Sequence, residues 1–147
     1  MAQVLGLDAK LWIAEPIADG SEGSYSEVTN VRNVSLSLET AEADVTTRSN
    51  NGWRATTPTL KDASVEFEMI YDTDDTVGFA KVQAAFLNDT DLWVKVLDGG
   101  ATDTAGDGLV AKCRVTNFSI NQSLEEAVTA SVSLKPTYGT APTWQTA

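Results

Sequence analysis

Apolar and polar residues alternate along this chain in short runs, and those runs define its elements. In Ala63–Tyr71 the side chains Val65, Phe67, Met69 and Tyr71 recur at every second position. Ser64, Glu66 and Glu68 lie between them, and Ile70 is the exception. A period of two is that of a strand with one buried face. Val31–Leu38 repeats it, with Val34, Leu36 and Leu38 against Ser35 and Ser37. Ala127–Lys135 does so again, with Val128, Ala130, Val132 and Leu134 against Thr129, Ser131 and Ser133. Leu5–Ala14, anchored by Trp12, Leu92–Leu97 and the long Val110–Asn121 complete the predicted strands. Only Asp75–Leu87 changes period. There Phe79, Val82 and Phe86 stand at i, i+3 and i+7 and would dock a helix on a sheet. The acidic run Asp72–Asp75 suits its start, where carboxylates accept from free N–H groups and oppose the helix dipole, although Gly78 weakens the first turn.

The connections are uneven. Pro16–Ser26 and Gly99–Gly108 are Gly-rich loops, and Ser123–Glu126 is a turn. Glu39–Leu60 is a polar stretch with Asn51-Gly52 and Pro58 as turn signals, far longer than the usual connection of about 4–6 residues. A loop of that length is functional or disordered, or it holds a short hairpin with DVTTR and WRATT around SNNG. The segment 140–147 is small and polar and reads as a loose tail, with Trp144 the odd residue. The expected architecture is one mainly β domain, residues 1–139, of sandwich- or barrel-like antiparallel sheets with one helix at about 75–87.

Composition narrows the function. The chain has 147 residues, 21 Asp and Glu against 10 Lys and Arg, and a net charge of −11. That balance argues against a nucleic-acid-binding module, which needs a basic footprint, and favours solubility. The absence of His removes the commonest general base and metal ligand, and a single Cys excludes an intrachain disulfide. The start MAQVLGLDAK has no basic n-region or long apolar run, so no secretory signal is expected, and no apolar stretch reaches the ~20 residues of a spanning helix. The expected site of synthesis is a cytoplasm, with exit by another route such as lysis.

Two stretches carry a resemblance. VTTR followed by GW and then LKDASVEFEM, within Val45–Met69, and SLEEAVTASVSLKPTYG, Ser123–Gly139, resemble the loop, following strand and closing hairpin of the major tail tube proteins of long-tailed bacteriophages. The order of strand, long loop, strand, helix and two final strands is similar to the same fold, which contractile tails and type VI secretion tubes share. The resemblance covers roughly Leu5–Gly139. It implies a structural virion protein, not an enzyme, with no cofactor. It also implies hexameric rings stacked into a tube through which DNA passes without specific binding. A tape-measure protein, a tail terminator and baseplate proteins are the implied partners, the virion tail the location, and the host cytoplasm the place of assembly. A tube of a contractile tail or type VI system is the alternative within that superfamily. An extracellular β-sandwich carbohydrate-binding module and a small acidic hydrolase are the alternatives outside it.

The resemblance further implies about four strands per subunit in an inner barrel of about 24. At ~4.8 Å per strand the circumference is about 115 Å and the backbone diameter about 37 Å, or about 50 Å at ~45° tilt. Side chains of about 5 Å at each wall leave roughly 27–40 Å, wide enough for a DNA duplex about 20 Å across. The residues implied to face this lumen are Ser35, Ser37, Ser64, Glu66, Glu68, Thr129, Ser131 and Ser133, small or acidic side chains that would not hold phosphates. A plainer reading is one sheet face that meets water. Arg48, Asn51, Trp53, Arg54 and Lys61 are the implied residues of a loop between subunits or rings.

Catalytic and metal readings are weaker. Glu66 and Glu68 lie about 6.7 Å apart along a strand, within glycosidase spacing, but no aromatic platform accompanies them. Asp72, Asp74 and Asp75 open like a calcium loop but lack its Gly and its final Glu, where Gln83 stands. Asp98, Asp103 and Asp107 offer at most weak calcium ligands in a flexible loop. Cys113, between Lys112 and Arg114, reads as a core residue, since strand neighbours point to opposite faces. The sequons at Asn33, Asn88, Asn117 and Asn121 have no meaning without a secretory route.

Overall fold

A computed structural model describes residues 5–6 and 9–146. Its strands are β1 (Lys10–Ala14), β2 (Ser26–Glu27), β3 (Val31–Asp44), β4 (Thr56–Ile70), β5 (Asp91–Leu97), β6 (Gly108–Asn121), β7 (Thr129–Pro136) and β8 (Thr143–Gln145). One helix, α1 (Phe79–Leu87), lies between β4 and β5. The strands form a single antiparallel sheet in the order β2-β1-β5-β6-β7-β4-β3, with β8 on β6. The N-terminal part of the expected first strand lies partly outside the described residues. Among the described residues no helix is long and apolar enough to cross a membrane.

Strand β6 is the fold's pivot. Its first half, Gly108–Arg114, pairs with β5, and Cys113–Asn121 pairs with β7 on the opposite edge. The sheet curls about this offset, so Leu11, Ile13, Leu92 and Val94 of β1 and β5 meet Val65, Phe67, Met69, Val132 and Leu134 of β4 and β7 in one core. Helix α1 closes the end where β5 begins. Phe79, Val82 and Ala85 are buried, and Phe79 and Phe86 approach Phe118 at 5.7 and 6.0 Å between ring centroids. Phe86 keeps two-fifths of its surface exposed, so its anchoring is partial.

The helix begins four residues after Asp75, later than the charge run predicted, yet Asp75 still governs its start. Its carboxylate accepts from the N–H groups of Val77 (3.1 Å), Gly78 (2.9 Å) and Phe79 (3.0 Å). Burial opposes the charge, but these three donors outweigh it and hold the Asp75 carboxyl below its usual range.

Two expectations need correction. Glu39–Leu60 is not a long loop: Glu39 pairs with Asp62, Thr40 with Lys61, Glu42 with Pro58 and Asp44 with Thr56. The connection is only Val45–Ala55, at the tip of a hairpin that continues β3 and β4 well beyond the body. Pro58, which has no N–H to give, is accommodated beside the register shift between Thr40 and Glu42. The tail is not loose throughout either, because Thr143–Gln145 pairs with Gly108–Val110.

Gln145 and the buried Lys95 make that end of the chain structural. The Lys95 ammonium donates to the Asp103 carbonyl (2.9 Å) and to Gln145 Oε1 (2.8 Å), with the Asp103 carboxylate at 3.6 Å. It also lies 4.5 Å from the centroid of the Tyr25 ring, whose hydroxyl pKa is driven upward, chiefly by burial. Gln145 Nε2 donates to the carbonyls of Asp103 and Gly106. The loop 98–107, expected to be flexible, is held by this network. Its Asp98 accepts from the Asp107 N–H at 2.9 Å.

Candidate assembly surface

The residues predicted to share a polar face do share one. Cross-strand partners point to the same side of a sheet. Ser35 pairs with Glu66, Glu66 with Ser133 and Ser133 with Asn117. One step along, Asn33 pairs with Glu68, Glu68 with Ser131 and Ser131 with Ser119. Ser37 pairs with Ser64. The alternate positions, Val65, Phe67, Met69, Ala130, Val132 and Leu134, are in the core. Four strands, β6-β7-β4-β3, therefore present one polar surface backed by one apolar surface. Thr129 departs from the expectation: it is on this side but buried, at the sheet end where it pairs with Ile70 and Asn121.

Four members of the face were not anticipated: Asn33 on β3, and Asn117, Ser119 and Asn121 on β6. The register shift between Val115 and Asn117 reverses the parity of β6, so Val115 and then Phe118 turn to the core. The only sequence signal is the spacing of three between those two apolar residues. Ser119 Oγ donates to Asn117 Oδ1 at 3.0 Å.

The face carries both signs of charge, where the sequence suggested an acidic one. Arg32 reaches Glu68 (3.8 Å), Lys135 reaches Asp62 (4.0 Å) and Arg114 is bound to Asp91 (2.9 Å). Glu66 has no ion pair among the described residues. Paired charges on a wetted face largely cancel beyond a Debye length of about 8 Å. The surface offers neither a basic track for phosphates nor a strong repulsive field.

Both flanks of this four-stranded surface end in unpaired backbone. Among the described residues, strand β3 is bonded only to β4, and β6 beyond Arg114 is bonded only to β7. Beyond β3 and β4 projects the hairpin arm. No residue from 39 to 62 is buried. Its tip is nonetheless ordered: Arg48–Asn50 forms one 3-10 turn, and Asn51 and Gly52 both take positive φ, 54° and 82°. The Thr46 hydroxyl accepts from the Ala55 N–H at 2.9 Å, and Val45 donates to the Ala55 carbonyl at 3.0 Å. Arg48, Asn51, Trp53 and Arg54 gather at this tip, with Trp53 at 77% exposure, whereas Lys61 is back on the arm's stem.

The remaining chemistry is occupied locally. Cys113 is fully buried and its thiol is pushed up to about 12, chiefly by burial. Among the described residues no cluster of Cys, Asp or Glu has metal-holding geometry.

A curled sheet with one polar four-stranded face, open edges on both flanks and a projecting arm is the form of a β-protein built to associate laterally. The chain belongs to the phage tail tube protein family, whose model matches residues 16–137. It is a structural protein of the tail tube by that membership. Among solved structures it is similar to the tail protein of an empty gene transfer agent particle, refined with C6 helical symmetry. There the TM-score is 0.74 at 15% identity, over 99% of this chain and 100% of the other. It is also similar to the SPP1 tail tube protein (TM-score 0.68, 17% identity, 90% of this chain and 75% of that one). A sheath/tube terminator of an extracellular contractile injection system shares the fold as well (TM-score 0.65, 8% identity, 99% of both chains). No curated protein matches the chain by sequence.

Proposed function

We propose that this protein assembles as hexameric rings that stack into a tail tube, and that the polar face of β6-β7-β4-β3 lines the lumen through which DNA passes. The observation that carries the reading is the pair of free edges flanking that face. The four strands alternate in direction, so β3 and β6 run opposite ways. When copies are related by rotation about a tube axis, β3 of one meets β6 of the next in antiparallel orientation. Antiparallel strands bond with well-aligned N–H and C=O groups. The ring then closes a barrel and removes both edges. The C6 symmetry of the gene transfer agent tail supports six copies per ring.

The lumen residues in this reading are Ser35, Ser37, Ser64, Glu66, Glu68, Ser131 and Ser133, joined by Asn33, Asn117 and Ser119. Short neutral side chains, the Glu68–Arg32 pair and the Glu66 carboxylate, unpaired among the described residues, give DNA phosphates no fixed anchor. The arm tip, with Arg48, Asn51, Trp53 and Arg54, makes contacts between copies. A tape-measure protein inside the tube, and a terminator and baseplate proteins at its ends, complete the set of partners, with assembly in the host cytoplasm. A tube of a contractile injection system is the second reading, favoured by the likeness to the sheath/tube terminator. Negative-stain electron microscopy over a concentration series, with and without a baseplate initiator, tests the proposal. Rings or tubes with sixfold end views and an open lumen are expected. Single small particles under every condition would sink it.

A further inference from the structure

The four-stranded face contains one hairpin twice. The sequence VRNVSLS, Val31–Ser37, returns as VTNFSIN, Val115–Asn121, with Val, Asn and Ser at matching places and apolar residues between them. The first opens β3 and the second is the far half of β6. Both strands shift register at the same point, between Val31 and Asn33 and between Val115 and Asn117. Val31 pairs with Met69 and Val34 with Phe67; Val115 pairs with Leu134 and Phe118 with Val132. One displacement along the chain carries Val31 and Val34 onto Val115 and Phe118. A second carries Met69 and Phe67 onto Leu134 and Val132. Phe67 and Val132 are themselves directly opposite. A pseudo-twofold axis through that pair, normal to the sheet, therefore exchanges hairpin β3–β4 with hairpin β6–β7.

The axis makes the two free edges equivalent. We infer that this repetition sets the seam between copies: β3 of one copy pairs with the far half of β6 of the next, with Leu36 opposite Ile120, so that a second pseudo-twofold axis passes through every junction of the ring. The inference rests on the proposed tube and gives its ring a register.

Barrel geometry limits the choices. Four strands at ~4.8 Å span about 19 Å, and a tilt of ~35–45° offsets the next copy by about 13–19 Å, or about 4–6 residues. The offset must be even, because an odd one would turn the polar face to the other side. Phe118 shares a row with Val34 through Val132 and Phe67. Displaced one way, it meets Leu38 or Thr40; displaced the other way, it meets Asn30 or Val28, which precede β3. Packing then decides. The smaller offset sets Leu38 against Phe118 and Leu36 against Ile120 on the core side, with Ser37 against Ser119 on the polar side. The larger one sets Phe118 against Thr40. Leu38 and Ile120 are 56% and 43% exposed in the single copy, and the smaller offset covers both.

Cysteine pairs in the full-length chain, grown from an initiator and oxidised, read the register. Directly opposite residues lie ~4.5–5.5 Å apart between Cα atoms, within disulfide reach, whereas a slip of two residues takes them to about 7–8 Å. Ser37→Cys with Ser119→Cys should give a ladder of linked copies on a non-reducing denaturing gel. The pairs for the neighbouring registers, Ser35→Cys with Ser119→Cys and Ser37→Cys with Asn121→Cys, should link far less. All four positions are exposed, and Cys113 is buried and silent. Each single variant should give no linked dimer, although equivalent edges would also let β3 meet β3. A stronger ladder from either neighbouring pair, or dimers from a single variant, would overturn the register. Leu38→Ser should melt close to the parent and raise the critical concentration for tube growth about tenfold, read by pelleting. Tubes that grow normally with Leu38→Ser and link in no pair would overturn the seam while leaving the tube intact. A failure of the unsubstituted chain to form rings or tubes beside an initiator would remove the proposed function and this inference with it.

Discussion

Cutting the arm back should separate folding from assembly. The variant deletes residues 41–60 and joins Thr40 to Lys61, a register pair, through an Asn-Gly turn. No buried residue is lost. Val45, Trp53 and Leu60, the large apolar side chains removed, are all exposed, so the burial term at about 25 cal/mol per Å² is close to zero. The arm's ladder bonds contribute roughly 0.5–1.5 kcal/mol each, against an ordering cost of about 1–2 kcal/mol per residue. These nearly cancel, and a net change within about 1 kcal/mol is expected. For a domain of this size that is a melting shift of roughly 2–4 °C in either direction. A core control, Leu134→Ala, should cost about 2–5 kcal/mol, since Leu134 is fully buried. Differential scanning fluorimetry measures both, and pelleting with electron microscopy measures tube formation. The truncated chain should melt like the parent and form no tubes. A fall in melting temperature comparable to that of Leu134→Ala would refute the view that the arm stands outside the folding unit. Normal tubes would refute its part in assembly.

Three further outcomes are expected. Gln145→Ala removes three hydrogen bonds and leaves the buried Lys95 ammonium short of an acceptor, so it should cost about 2–4 kcal/mol and speed hydrogen exchange in loop 98–107. Asp75→Ala should cost about 1 kcal/mol near neutral pH, read by urea unfolding. The folded pKa of Asp75 is depressed, so its contribution is present above the unfolded value of about 4 and disappears as pH falls through the folded one; the variant should lose stability less steeply over that acidic range. Cys113 should resist thiol reagents at pH 8 until the protein unfolds. Its folded pKa is raised to about 12, so stability should fall as pH climbs from about 9 toward 12, and a Cys113→Ala variant should lack that component.

The sequence exposed what has a period. Val65, Phe67 and Met69 against Ser64, Glu66 and Glu68 identified both faces of β4, and the same alternation identified β7 and the near half of β3. It was silent where the period breaks. Residues 39–44 and 56–60 are strand, but both of their faces meet water, so nothing alternates, and Pro58 reads as a breaker although a register shift absorbs it. In β6 the shift after Val115 moves Phe118 to the core side and Asn117 and Ser119 to the polar side, which no strict period of two can follow. Strand β8 is three residues long, too short for any pattern. The signal for its anchor was present in LWVKVL, where one Lys stands amid apolar residues of a buried strand. Such a lysine must find acceptors, and it finds them in Asp103 and Gln145.

The exposed apolar residues are spent in places a monomer does not need. Val45, Trp53 and Leu60 lie on an arm that covers no core, and Leu124 sits alone in a turn. Among the described residues strand β3 leaves an edge 14 residues long unpaired, an open template for association. A chain that only had to fold would shorten that edge and make those positions polar. Scattered as they are, these side chains form no broad patch, and a net charge of −11 holds free copies apart. The features become consistent when copies meet: the edge is paired around a ring, and the arm reaches beyond it. The acidic composition then works against premature growth, because a first contact must overcome the repulsion of whole subunits. An initiator that presents a complete ring offers six such contacts at once in the proposed hexamer, and multivalent engagement overcomes that repulsion where a single pair does not.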